Sequence, residues 1–226
     1  MKYYWIQPSI NLRQVGVFPQ CSEANNAVEM QEYGFGFFDK ISKEFKLPEP
    51  IVQRKAKPTD MLSVVPIPAP IFLVLTERLL DCFISNSIEA YQSWELATFK
   101  NGESLNGYNL FHISRPVDSS AIDFDHSEFI LKNNRTKEEK SMKFETYQSY
   151  HDTWKLAVYS NQSLVIKQAF LRFSDLSLDA FRILELNSSG IGYYVSEKLK
   201  MEIERKGFTG IEFTLADKLD PRIIII

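Results

Sequence analysis

The stretch Tyr193–Leu215 is YYVSEKLKMEIERKGFTGIEFTL, and it carries the clearest local signals in the chain. Two aromatics and a valine lead to Ser196, a good helix N-cap, and the strong helix formers after it end at a glycine. Val195, Leu199 and Ile203 share one helix face. They also fit an alternating strand, but the Glu and Lys residues among them are poor strand formers. The stretch therefore predicts a strand, a capped helix, a turn and a second strand.

The same plan recurs earlier, at Ile71–Tyr91. Thr76 occupies the position of Ser196, and the Ile-Glu pair at Ile88 corresponds to the pair at Ile211. Each copy has an apolar strand, a hydroxyl N-cap, a short amphipathic helix, a polar turn and a strand that begins with Ile-Glu. The similarity predicts two quasi-repeated strand-helix-strand units, the alternative being coincidence between two capped helices.

Strand composition dominates the rest of the chain. Short apolar or aromatic runs separated by turn residues predict strands at Lys2–Gln7, Ile51–Ala56, Trp94–Phe99, Tyr108–Ser114, Trp154–Tyr159, Leu164–Ile166 and Phe181–Leu186. The charged run Lys132–Lys143 predicts an exposed loop, and Asn187–Gly190 predicts a turn. These elements indicate an α+β fold with mixed, largely antiparallel sheets and a few short capped helices.

A proline-punctuated segment offers the best domain boundary. Pro66–Pro70 is PIPAP, which must be extended and is expected to act as a stiff connector. Before it, Gln20–Glu32 predicts a weak helix and Tyr33–Phe38 a turn with packed rings. We predict a strand-rich segment of uncertain role at 1–56 and an α+β domain at 57–226, which can pack together as one compact unit.

Composition narrows the class of partner and the compartment. The 226 residues include 26 Lys and Arg against 29 Asp and Glu, so no broad basic field is available for nucleic acid. The 17 Phe and 10 Tyr favour a sheet-rich fold and offer material for a protein interface. Cys21 and Cys82 are too few for a disulfide framework. The longest apolar run, Ile71–Leu75, is too short to span a bilayer, and we expect a cytoplasmic protein.

No catalytic or metal-binding pattern is present in the sequence. His112, His126 and His151 lack the close spacing that places two rings on one helix face, and no serine lies in a GxSxG elbow. The acidic segment Asp118–Glu128, DSSAIDFDHSE, lacks the glycine turn of a calcium loop. We therefore expect no metal, no cofactor and no enzymatic activity.

Four pieces of the chain, in order, carry a family resemblance. They are KPTDML at Lys57–Leu62, VLTERLLDCF at Val74–Phe83, VDSSAIDFDHSEF at Val117–Phe129 and the stretch from Tyr193 quoted first. Together they resemble an immunity protein family of bacterial polymorphic toxin systems, formerly a domain of unknown function and described from a myxobacterial example. The resemblance covers about residues 51 to 215 and implies a cytoplasmic, non-catalytic protein that binds a cognate toxin and neutralises it by occlusion.

Charge suggests where such a toxin would bind. Toxins that act on nucleic acid or nucleotides usually present a basic active face, so we predict contact through an acidic loop. The predicted contact residues are Asp118, Asp123, Asp125 and Glu128. The alternative for this loop is a solvated turn whose acids cap the segment beginning near Ser127. Two other functions stay open, a small hydrolase or transferase with an unrecognised site and a structural or regulatory interaction module.

Overall fold

The computed structural model describes residues 2–26, 46–67, 71–114, 117–183 and 192–226. Some sequence interpretations lie wholly or partly outside these ranges. They are the turn with packed rings at Tyr33–Phe38, most of the helix predicted for Gln20–Glu32, the greater part of the segment Pro66–Pro70, the second half of the strand predicted for Phe181–Leu186, and the turn at Asn187–Gly190.

The described residues form an α+β fold, as the sequence predicts. The strands are β1 (Tyr3–Pro8), β2 (Glu23–Asn25), β3 (Glu49–Val52), β4 (Met61–Leu62), β5 (Leu73–Thr76), β6 (Tyr91–Lys100), β7 (Glu103–Ile113), β8 (Ile122–Asn133), β9 (Glu139–Met142), β10 (Gln162–Leu171), β11 (Ala180–Ile183), β12 (Gly192–Ser196), β13 (Ile211–Leu215) and β14 (Ile223–Ile225). The α-helices are α1 (Leu12–Val15), α2 (Glu77–Ile84), α3 (Asp118–Ala121), α4 (Tyr147–Tyr159) and α5 (Glu197–Arg205). Short 3-10 turns occupy Phe173–Leu176 and Ala216–Lys218.

These strands form three sheets. Two are four-stranded, in the orders β11-β12-β1-β13 and β14-β10-β8-β9, and the third is six-stranded, in the order β2-β3-β6-β7-β5-β4. Most neighbours are antiparallel, and the parallel pairs are β3 with β6 and β10 with β14. No helix of the described ranges combines the length and the apolar composition that a bilayer crossing needs.

The stretch quoted first forms the predicted strand, helix and strand. Ser196 caps α5, since its Oγ accepts a hydrogen bond from the Leu199 amide at 3.2 Å, and Gly207 follows the helix with a φ of +70°. Leu199 and Ile203 are buried, which confirms the helical period. Strand β1 lies between β12 and β13 and is antiparallel to both, so β12 and β13 run parallel. We call β11, β12, α5, β13 and β1 the second unit.

The earlier copy has the same topology. Strand β7 lies between β5 and β6 and is antiparallel to both, so these two also run parallel across the connection through α2. Each copy is thus a split β-α-β arrangement. We call β4, β5, α2, β6 and β7 the first unit. This topology confirms the two quasi-repeated units predicted from the sequence.

Two details of the first unit differ from the prediction. Its second strand begins at Tyr91, and Ile88 makes only an isolated bridge to Ala180. Thr76 stands at the N-cap position of α2 but does not cap the helix. Its hydroxyl donates to Asp60 Oδ1 at 2.9 Å and accepts no hydrogen bond from the first-turn amides of α2.

Three other local predictions are wrong. Trp154–Tyr159, predicted as a strand from its composition, is the end of α4, which Thr146 caps and which buries Tyr150 and Ala157. The run Lys132–Lys143 is exposed but forms the end of β8, a turn and β9, because pairing with β8 supplies the backbone hydrogen bonds. Within Gln20–Glu32, Glu23–Asn25 forms strand β2 rather than helix.

The N-terminal segment contributes to two sheets. Strand β1 is an interior strand of the second unit, and β3 pairs with β6 of the first unit. Buried residues of β1 also enter two of the three apolar clusters that form the core, through Tyr3 and Ile6. The division into 1–56 and 57–226 stays a prediction.

Replacing Leu199 tests the buried face of α5. Leu199 is fully buried, so Leu199→Ala is expected to lower the free energy of unfolding by about 2–5 kcal/mol in urea denaturation. Met201→Ala on the same helix is the control, because Met201 is 63% exposed and its truncation is expected to cost less than about 0.5 kcal/mol. Equal losses from the two variants would contradict the assignment of the buried face.

Candidate functional site

The predicted acidic loop is not a loop. Asp118–Ala121 forms the single turn α3, and the residues after it form the long strand β8. The many polar residues of the segment predict a loop, but Ile122, Phe124 and Phe129 are buried in the core and hold the segment against β10. This correction changes which of its acids can meet a partner.

Strand β8 carries a large irregularity in its pairing with β10. Glu128 pairs with Gln168 and Asp123 with Phe170, so residues 124–127 of β8 face the single residue Ala169. We call residues 124–127 the β8 bulge. Ser127 supplies hydrogen bonds where the backbone pairing between the strands is interrupted. Its Oγ donates to the Asp123 carbonyl at 2.5 Å and accepts from the Phe170 amide at 3.0 Å. Bulges of this kind redirect side chains, and Asp125 and His126 are exposed here.

A buried carboxylate anchors the bulge. Asp123 is 4% exposed, and its Oδ2 accepts from Arg172 Nη2 at 2.6 Å and from His126 Nδ1 at 2.8 Å. Burial alone would raise the pKa of Asp123, but the hydrogen bonds from Arg172 and His126 outweigh it and hold this pKa below its ordinary value. The stabilisation is therefore complete above the ordinary aspartate pKa and is lost as the pH falls through the lower value of the folded state.

The four predicted contact residues occupy different environments. Asp118 is 1% exposed in the first turn of α3, and Asp123 is buried beneath the bulge. Glu128 is half-buried and accepts from Lys167 Nζ at 2.8 Å, a hydrogen bond that lowers the pKa of Glu128. Asp125 is exposed and enters none of the ion pairs among the described residues. The structure thus brings Asp123, Asp125 and Glu128 together on one strand and leaves Asp118 in the core.

An apolar sheet surface adjoins the bulge. Strands β8, β10 and β14 bury alternate residues in the apolar cluster that also holds Tyr150 and Ala157 of α4, and the residues between these face the other way. Ile130 is paired with Val165, and Phe170 with Ile224, and all four side chains are half-buried. We call Ile130, Val165, Phe170 and Ile224 the outer face. Its borders carry the ion pairs Lys167–Glu128 and Lys132–Glu139, each at 2.8 Å.

Sequence reasoning missed the outer face. Strand β10 is QSLVIKQAFL, in which apolar residues fall on both faces of the strand rather than on one. That pattern is typical of a strand covered on both sides. The available signal was therefore the second set of apolar residues on β10, at the positions between the core residues. Reading this signal requires knowing which face of the strand α4 covers.

The rest of the described chain offers little for catalysis. No group of three or more His, Cys, Asp and Glu side chains within the described ranges is placed to hold a metal ion. A cavity of about 370 Å³ lies beside the turn between β6 and β7, and Glu23 and Arg54 are the charged side chains that line it. Neither histidine nor cysteine lines this cavity.

Comparison with protein-family models identifies the family of the chain. The model of the immunity protein family (Imm11) matches residues 2–218. The match therefore includes the first fifty residues, for which no family pattern could be recognised in the sequence. No curated protein matches the chain.

Replacing Ser127 tests whether its hydrogen bonds stabilise the β8 bulge. Ser127→Ala removes both hydrogen bonds that bridge the irregularity and leaves the Phe170 amide and the Asp123 carbonyl without them. We expect the free energy of unfolding to fall by about 1–3 kcal/mol and exchange of the Phe170 amide to accelerate. Ser141→Ala, on the exposed strand β9 of the same sheet, is the control and should change little. Unchanged stability and exchange in Ser127→Ala would contradict this role.

Proposed function

The chain belongs to the immunity protein family (Imm11), and from this premise we propose that it binds a cognate toxin and neutralises it by occlusion, without cofactor or turnover. The protein partner follows from the family in general terms. Occlusion, the polymorphic toxin system and a cytoplasmic site of action are parts of the proposal. The observation that carries the proposal is the outer face beside the β8 bulge.

The outer face has the composition of a binding surface. Protein interfaces combine an apolar centre with a polar border, and covering the apolar surface that remains accessible on such a centre is favourable because it removes that surface from water. The paired side chains of Ile130 and Val165 supply such a centre, extended by Phe170 and Ile224. Because these side chains stand on paired strands, they are held in place before a partner arrives, which lowers the entropy lost on binding.

The bulge gives this surface a preference for basic partners. Arg172 and Lys167 are already paired with Asp123 and Glu128, whereas Asp125 is exposed and forms no ion pair of its own among the described residues, although it lies close enough to act on the Arg172 charge. Asp175, exposed in the turn after β10, adds a second negative charge close enough to act on Arg172. A basic toxin face is therefore the partner that we propose, and Asp125 and Glu128 are its proposed contacts.

The two buried acids take other parts in the proposal. Asp123 positions Arg172 and His126 from below the surface, so its replacement would disturb the bulge rather than delete a contact. Asp118 lies in the core and makes no contact in our proposal. Of the four residues predicted from the sequence, two face the proposed partner and one supports them.

One observation favours the alternative of an enzyme. The Asp123 carboxylate holds His126 Nδ1, and the exposed side chain of His126 leaves its other ring nitrogen available to solvent. This is the arrangement of a general base oriented by a carboxylate. His126→Ala separates the two functions in cells that carry the toxin. Occlusion predicts that protection survives the change, whereas catalysis predicts that protection is lost while toxin binding remains.

Charge removal at the bulge tests the proposed surface. Asp125→Asn with Glu128→Gln is expected to slow association with the toxin by about two- to tenfold at low salt and to flatten its salt dependence. Glu95→Gln with Glu103→Gln is the matched control, because both residues are exposed on the six-stranded sheet. Stopped-flow measurement gives the association rates. Equal effects from the two pairs would show that only overall charge matters.

Polar substitution of the outer face tests its apolar centre. Ile130→Thr with Val165→Thr keeps two β-branched residues in the strands, and we expect the toxin complex to dissociate at least about tenfold faster. Surface plasmon resonance measures this rate, and circular dichroism checks the fold.

Co-expression decides the proposal as a whole. A toxin encoded beside this gene that kills equally with and without the protein, and does not co-purify with it, would overturn the immunity function.

A further inference from the structure

Two buried aspartates occupy equivalent places in the two units. Asp60 precedes β4, and its carbonyl accepts from the Thr76 amide at 2.8 Å. Asp179 precedes β11, and its carbonyl accepts from the Ser196 amide at the same distance. The strands that follow also match in register, since Met61 pairs one residue before Thr76 and Ala180 pairs one residue before Ser196. The duplication therefore extends to a fourth strand in each unit.

Each carboxylate binds the helix start of its own unit. Asp60 Oδ1 accepts from the Thr76 hydroxyl at 2.9 Å and from Arg78 Nε at 2.7 Å. Asp179 Oδ1 accepts from the Ser196 hydroxyl at 2.7 Å, and its Oδ2 accepts from Lys198 Nζ at 2.7 Å. The N-cap residue and the residue two positions later thus make the same contacts in both units.

Each carboxylate also binds the turn after the helix of the other unit. Asp60 Oδ2 accepts from the Thr209 amide at 2.8 Å, in the turn that follows α5. Asp179 Oδ2 accepts from the Ser87 amide at 3.2 Å, in the turn that follows α2. Backbone bonds repeat the exchange, since the Met61 amide donates to the Thr209 carbonyl and the Ala180 amide to the Ser87 carbonyl, both at 3.2 Å.

The apolar core between the units has the same symmetry. One buried cluster holds equivalent residues from both units: Leu79 with Leu199, Phe83 with Ile203, Leu75 with Val195, and Phe111 with Ile6. A contact in which residue i of one body meets residue j of the other, and j meets i in return, is characteristic of a two-fold interface between like bodies. Here the two like bodies belong to one chain.

We propose that the two split β-α-β units form an internal two-fold pair that Asp60 and Asp179 lock reciprocally, so that neither helix turn opens without releasing the aspartate of the other unit. Opening the turn at Thr209 removes the Thr209 amide and hydroxyl as donors to Asp60. This buried carboxylate then lacks two of the hydrogen bonds that stabilise its charge. Because Thr76 at the start of α2 donates to Asp60, destabilising this carboxylate also destabilises the start of α2. In the same way, opening the turn at Ser87 destabilises Asp179 and, through Ser196, the start of α5.

Two further observations agree with a tight reciprocal lock. Gly210, at a φ of +82°, brings the second unit's turn against the Met61 carbonyl and the Thr59 side chain, where a Cβ atom would not fit. Burial alone would raise the pKa values of Asp60 and Asp179, but their hydrogen bonds outweigh it and both pKa values lie below the ordinary range. Both groups are therefore carboxylates at neutral pH, and both depend on their donors.

Native-state hydrogen exchange of the full chain tests the lock. Asp60→Asn is expected to accelerate exchange of the Thr209 amide and of the last turn of α5 at least about tenfold, although these amides lie in the other unit. Asp179→Asn should have the reciprocal effect on the Ser87 amide and the last turn of α2. Asp123→Asn is the control, because its carboxylate contacts neither unit's turn and should leave both amides unchanged.

A milder variant keeps the test decisive if the asparagine variants do not fold. Thr209→Val removes one of the two donors that reach Asp60 from the second unit and keeps the backbone amide. We expect exchange of the Thr76 amide, which donates to the Asp60 carbonyl within the first unit, to accelerate about two- to fivefold. Acceleration confined in every variant to the unit that carries the substitution would overturn the proposal.

Discussion

A buried carboxylate must find donors for its oxygens, and in this protein that requirement joins the two halves of the fold. Asp60 and Asp179 are each less than a tenth exposed, and each accepts hydrogen bonds from both units. Oδ2 of each carboxylate accepts a hydrogen bond from a backbone amide of the opposite unit. These two hydrogen bonds fix how the helices α2 and α5 lie together. Packing of the apolar cluster between the units then follows from this arrangement.

The proposed binding surface lies on a different sheet from this joined pair. Helix α4 packs against β8 and β10 of this sheet, and the opposite side of β8, β10 and β14 carries half-buried apolar side chains with a charged border. The β8 bulge uses the same chemistry as the unit interface, a buried aspartate that holds a cation and a neighbouring polar side chain. Buried carboxylates thus serve in one place to join backbone segments and in another to support an exposed surface.

The sequence predicts what depends on near neighbours and fails where distant partners decide. The strand, cap, helix and turn around Ser196 were predictable because the apolar period and the cap lie within a few residues. The end of α4 was mistaken for a strand, since its aromatic residues suit either state until the covered face is known. Asp123 was predicted to be a surface residue, but its burial depends on Arg172, 49 residues later in the chain. The outer face had a local signal in the apolar residues on both sides of β10, but which side the core covers depends on α4 and could not be known from the strand alone.

The position of β1 has a consequence for the order of synthesis. This strand is translated well before β12 and β13, yet it lies between them, and Gln7 contacts Glu212 across 205 positions of the chain. At elongation rates of about 5–20 residues per second, roughly 10–40 s separate the appearance of β1 on the ribosome from that of its two neighbours. During that interval the edges of β1 have no native partner. The second unit therefore cannot complete its sheet until β13 has been synthesised, which makes its assembly a late event in the synthesis of this part of the chain.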